Sequence, residues 1–151
     1  MAAHENMSHE QFFHHMVDVL GPESDQDNPN GYEWGKVPPH VFRSMSEDEY
    51  QTGMKRGYFQ SDQRNNWRQQ MQKEGRPNWQ EEPIEGTVAA VTAYTGYLPE
   101  DKPGRVVKFD TSKHEGWEVH PHVPEGDYIR TMGRIPADSI VATTKPVIMR
   151  G

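Results

Sequence analysis

From Gly86 onward the chain breaks into short β-type runs, "GTVAAVTAY", "RVVKFD", "WEVHPHV", "DYIRTMG" and "SIVATTKPVIMR", parted by the turn signals "PEDKPG", "TSKHEG", "PEG" and "RIPAD". Runs this short, rich in Val, Ile, Thr and Tyr and bounded by Pro, Gly and Asp, read as strands joined by tight turns. Antiparallel strands of this kind must bury at least one face, and a capped helix upstream can cover it. The fold class predicted is therefore α+β.

The helix signals are local and specific. In "SHEQFFHHMVDVLGP", Ser8 and Gln11 have capping-box spacing, Phe12, Phe13, Met16, Val17 and Leu20 recur at helical spacing, and Gly21-Pro22 stops the run. This amphipathic helix either covers the core or docks on a partner protein. Residues 22 to 36 read as a linker, so residues 1–36 form a helical arm and residues 37–151 the domain proper. "VPPHVFRSM" then predicts a strand entered through prolines. Ser46 and Glu49 mark a second helix over "EDEYQTGMKR", with acids in its first turn, Lys55 and Arg56 in its last, and Gly57 as its C-cap. "YFQSD" starts another strand, and the polar stretch 61 to 82 fits a thin helix or a lid loop.

Composition narrows the function. A length of 151 residues suits one domain, and 32% hydrophobic content with a mean hydropathy of −1.00 allows only a small core. Twenty-three acids against 16 Lys and Arg give a formal charge of −7, which disfavours nucleic acid as a partner. The chain has no cysteine, which excludes disulfides and thiolate chemistry. No apolar stretch is long enough to span a membrane, and the acidic, histidine-rich start is unlike a signal peptide. A soluble protein made in the cytosol is expected.

Two stretches carry a resemblance. "VFRSMSEDEYQTGMKRGYF" is similar to the aromatic-Arg strand, acidic helix and return strand of ADP-ribosyltransferases. "YIRTMGRIPADSIV" is similar to that family's closing pair of strands. The match is to the arginine–serine–glutamate class that includes the cholera-toxin catalytic chain, and it spans about residues 37 to 145. It implies a split antiparallel β-sandwich and an NAD-dependent mono-ADP-ribosyltransferase-like protein modifying an unknown acceptor, with NAD as substrate. Small domains of this kind are frequent in phages and actinobacteria. The resemblance thus implies a phage origin and a location in the bacterial cytoplasm or the virion.

The same resemblance assigns site residues. Arg43, at the end of its strand, would hold a phosphate of NAD with parallel hydrogen bonds; the alternative is a salt bridge to Glu47, Asp48 or Glu49. Thr87 is the nearest hydroxyl to the family's ribose-orienting motif, and Tyr94 is a stacking ring. The chemistry needs a carboxylate beside the oxocarbenium-like ribose. Counting back from Ile135-Pro136, the family's catalytic glutamate falls on Tyr128 and its companion acid on Gly126. Asp127 and Glu125 are the carboxylates available nearby. A chain lacking the usual glutamate is alternatively a catalytically silent domain acting through protein contacts, such as a virion or host-interaction component.

Two further constellations read as structural. His120 and His122 share a strand face by alternation and have His114 upstream, but no clear further ligand follows, so no metal site is assigned. Arg64, Arg68, Lys73 and Arg76 interleave with Trp67 and Trp79 as in single-strand binders, yet surrounding acids favour a solvated helix or a loop over the cleft.

Overall fold

A computed structural model describes residues 5–21, 36–59, 73, 84–87, 102–119, 128–131 and 134–149. In chain order the elements are β1 (Glu5–Met7), α1 (His9–Leu20), β2 (His40–Ser46), α2 (Glu47–Arg56), β3 (Tyr58–Phe59) and β4 (Ile84–Thr87). After them come β5 (Gly104–Asp110), β6 (Glu118–Val119), β7 (Tyr128–Thr131), β8 (Ile135–Pro136), β9 (Ile140–Thr143) and β10 (Val147–Met149). Among the described residues this is a mixed fold with two α-helices and mainly antiparallel sheets, in keeping with the α+β expectation.

The large sheet has the order β1-β10-β5-β2-β4-β7-β6, with β9 also on β5. Its spine is the β2/β5 ladder, antiparallel from His40 opposite Asp110 to Ser46 opposite Gly104. β9 and β10 divide the other edge of β5 between them, β9 along Val107–Phe109 and β10 at Gly104. The run "SIVATTKPVIMR" is thus two strands with a break at residues 144–146. β1 pairs parallel with β10, a contact between distant segments that local patterning cannot encode. Within the stretch "RIPAD", read as a turn, Ile135 and Pro136 form a two-residue strand that pairs with β3. Proline is tolerated there because the pairing ends at once.

Strand alternation sorts the ladder into two faces. Phe42, Val106 and Lys108 lie on one, and α1 covers them with Phe12, Met16 and Leu20, all buried at successive helical turns. The helix thus takes the first of its two predicted roles and spends its apolar stripe on the core. Its capping box forms as predicted, Gln11 N donating to Ser8 Oγ at 3.2 Å and Ser8 N to Gln11 Oε1 at 2.9 Å. Two further bonds tie it down: Lys108 Nζ donates to Leu20 O at 3.0 Å, and Lys145 N donates to His15 Nε2 at 2.9 Å.

The opposite face carries Met45, Val107 and Phe109, packed with Phe59, Ile135 and Tyr50 beneath α2 and the β3/β8 pair. α2 begins at Ser46, whose hydroxyl accepts from Glu49 N at 3.1 Å, and ends at Gly57 in the left-handed region at φ 89°. β5 lies between both layers, so Gly104 through Phe109 are all buried, Arg105 and Lys108 included.

β4 reaches β2 through Gly86. A Cβ at this position would collide with Val41 Cγ1 and stand 2.7 Å from Phe42 O. A backbone carbonyl fixed in a ladder cannot move aside cheaply. Gly86→Ala is expected to destabilise the fold by about 1–3 kcal/mol, as overpacking does, seen as a lower urea midpoint with unchanged slope.

Candidate functional site

The start of α2 faces the strands with two glutamates, and each takes one arginine. Glu47 receives Arg105 with both oxygens, Nε to Oε2 at 2.9 Å and Nη2 to Oε1 at 2.7 Å. Arg105 also donates to Thr144 O at 3.3 Å and lies 3.7 Å above the Tyr50 ring, while Gln51 donates to Glu47 Oε1 at 2.6 Å. Both side chains of this pair are only 9% exposed. Glu49 receives Arg43 in the same bidentate manner, Nε to Oε2 at 2.9 Å and Nη2 to Oε1 at 3.1 Å. This second pair is more open, at 21% for Arg43 and 36% for Glu49.

Those exposures decide what each arginine can do. Removing one partner of a buried pair strands a charge and costs about 3–5 kcal/mol. A partly exposed pair is worth about 1 kcal/mol or less. Arg105 is therefore an anchor, and the Arg43–Glu49 pair is the more solvent-exposed of the two.

Of the sequence-predicted site residues, Arg43 sits at the middle of β2 and not at its end, because the ladder with β5 continues through Ser46. Of the three acids offered as salt-bridge partners, Glu49 takes it. Thr87 belongs to β4, and its backbone pairs with Phe42 on one side and Tyr128 on the other. The strands of Arg43 and Thr87 and the start of β7 are thus three neighbours in the sheet. The ladder row of Thr87, however, is that of Phe42, one residue out of step with Arg43. Tyr94, Glu125 and Asp127 lie outside the described residues, as do His120 and His122.

His114 is engaged elsewhere. Its Nε2 is 2.9 Å from Thr131 Oγ1, and its ring meets Trp117 edge-on at 6.0 Å. Among the described residues no group of three His, Asp or Glu side chains is arranged to hold a metal ion. The turn that delivers His114 starts at Asp110, whose Oδ1 accepts from Ser112 N at 2.9 Å and Ser112 Oγ at 2.7 Å. These two bonds favour the carboxylate and pull the Asp110 pKa below its ordinary value.

Sequence reasoning missed the Glu47–Arg105 anchor and a third pair, Arg130 Nε to Glu118 Oε1 at 3.0 Å, which buries Arg130 almost completely. The available signal was a basic residue inside each β-type run, "RVVKFD" and "DYIRTMG", where strand alternation allows an apolar one. No protein-family model, curated protein or solved structure matches the chain.

Arg105→Ala is expected to cost about 3–5 kcal/mol in chemical denaturation, against about 1 kcal/mol or less for Arg43→Ala. Equal losses would refute the division into anchor and more exposed pair. For Asp110, the folded pKa lies below the unfolded one, so its contribution to stability is present above the unfolded value of about 3.8 and is lost as pH falls through the folded value. A carboxyl-carbon NMR titration is expected to give a midpoint below 3.8 for Asp110, and Ser112→Ala is expected to raise it.

Proposed function

We propose that the chain is an NAD-dependent, ADP-ribosyltransferase-like protein with an atypical site built on β2, β4 and the start of β7. The observation that supports this reading is the neighbourhood of those three strands, which gathers Arg43, the Thr87 backbone and Tyr128 at one region of the sheet. Helices on mainly antiparallel sheets give the α+β class that this reading expects.

In this reading Arg43 exchanges Glu49 for a phosphate of NAD, a swap that the modest worth of a partly exposed pair permits. Thr87 orients the ribose and Tyr94 stacks on a ring of the dinucleotide. Asp127 or Glu125, just before Tyr128 in sequence, supplies the carboxylate. The bond between ribose C1′ and the nicotinamide nitrogen breaks with its electron pair leaving on nicotinamide. The carboxylate stabilises the cationic ribose, and the acceptor's nucleophile bonds to C1′ as it gives up its proton.

A second reading has observations of its own. Arg43 already has a bidentate carboxylate partner, and the row of Thr87 is out of step with it. Both facts favour a catalytically silent domain on the same scaffold that acts through protein contacts. α1 would then present its outward side, with Glu10, His14, Asp18 and Val19 exposed, since its apolar stripe is buried.

Incubation of the full chain with NAD distinguishes the two. The transferase reading expects saturable NAD binding and nicotinamide release, reduced at least tenfold by Arg43→Ala and by Asp127→Ala with Glu125 intact or by the double acid variant. A folded wild-type protein that neither binds nor cleaves NAD removes the transferase reading and leaves the silent one.

A further inference from the structure

Arg56 ends α2, Arg134 precedes β8, and both guanidiniums sit against one ring. The Arg134 Cζ is 4.6 Å and the Arg56 Cζ 5.8 Å from the centroid of Tyr58, within the range of a cation–π contact. The β3/β8 ladder holds this convergence, with Tyr58 opposite Pro136 and Ala137 N donating to Gly57 O at 2.9 Å. Lys55 adds an exposed cation from the same helical turn.

What separates these arginines from Arg43, Arg105 and Arg130 is the lack of a carboxylate. Each of those three takes a glutamate. Among the described residues no acid lies within ion-pair distance of Arg56 or Arg134, the exposed Asp138 after β8 included. The negative end of the α2 dipole accounts for Lys55 and Arg56. It does not account for Arg134, which arrives from another strand. An aromatic ring attracts each cation but cancels neither charge. The ground beside them is open as well: at Gly57, between Arg56 and Tyr58, an added Cβ would meet no atom within 4 Å.

We propose that Arg56, Arg134 and the Tyr58 ring form a binding site for the phosphate group of a small molecule, separate from Arg43. Two planar forks held against one ring, neither with a carboxylate, suit a multiply charged tetrahedral oxyanion better than a single carboxylate. The formal charge of −7 repels a long polyanion, so the ligand is small. Free phosphate and the terminal phosphate of a nucleoside diphosphate present the same chemistry.

The test is calorimetric titration of the full chain with inorganic phosphate and with ADP at constant ionic strength. Saturable binding is expected, weakened at least tenfold by Arg134→Gln and by Arg56→Gln, both of which are expected to keep a cooperative thermal transition. Arg43→Ala is expected to leave it intact. Tighter binding of ADP than of phosphate identifies a nucleotide site, and equal binding a site for free phosphate; either supports the proposal. It is overturned if neither probe binds saturably, if both Gln variants bind like the wild type, or if binding is lost in Arg43→Ala alone. The last result would transfer the ligand to the proposed NAD site, so the two readings fail separately.

Discussion

The buried pair between Glu47 and Arg105 is the constraint on which the rest of this structure depends. It joins the first residue of α2 to a strand 58 positions away in sequence, in a layer where both charges are nearly dry. An unpaired charge at that depth is costly, so the pair is indifferent to small movements only if both partners move together. That fixes where α2 begins, and hence where Tyr50 and Phe59 meet the sheet. Gly53 completes the fit, since an added Cβ there would collide with the Phe59 ring.

β5 is consequently a strand whose charged residues are structural. Arg105 holds α2 on one face, and Lys108 holds the C-terminal carbonyl of α1 on the other. The lysine meets the negative end of a helix and the arginine a carboxylate, each satisfied by the element that buries it. A single strand thereby couples two helices that never share a face, and a low apolar content suffices because each layer is fixed by charge as well as by area.

What was legible in the sequence was what is local. Both helices announce themselves through caps within four residues, Ser8 with Gln11 and Ser46 with Glu49. Among the described residues the run "RVVKFD" lies within β5 and "DYIRTMG" contains β7. The order of the strands was not legible, because β1 against β10 and β3 against β8 join segments with no sequence relation. Nor was the position of Arg43 within its strand: "VFR" followed by "SMS" looks like a strand ending, yet the ladder to β5 carries it on to the helix cap. The site was legible only as a set of candidates. Composition offers three acids for Arg43, and only the turn of α2 in space selects Glu49 while handing Glu47 to a different arginine.

That selection gives two arginines on one face of the sheet unequal surroundings. Glu47 and Glu49 lie in one helical turn but have unequal tasks, because one is buried and the other borders solvent. Glu47 pins the helix start in the dry layer, and Glu49 adds a second contact to β2 through Arg43. A protein that placed both acids in the dry layer would bear the desolvation cost of a second ion pair. One that placed both in solvent would lose the anchor. Two glutamates two positions apart thus tie one helix start to two strands, one through a dry pair and one through a pair that borders solvent.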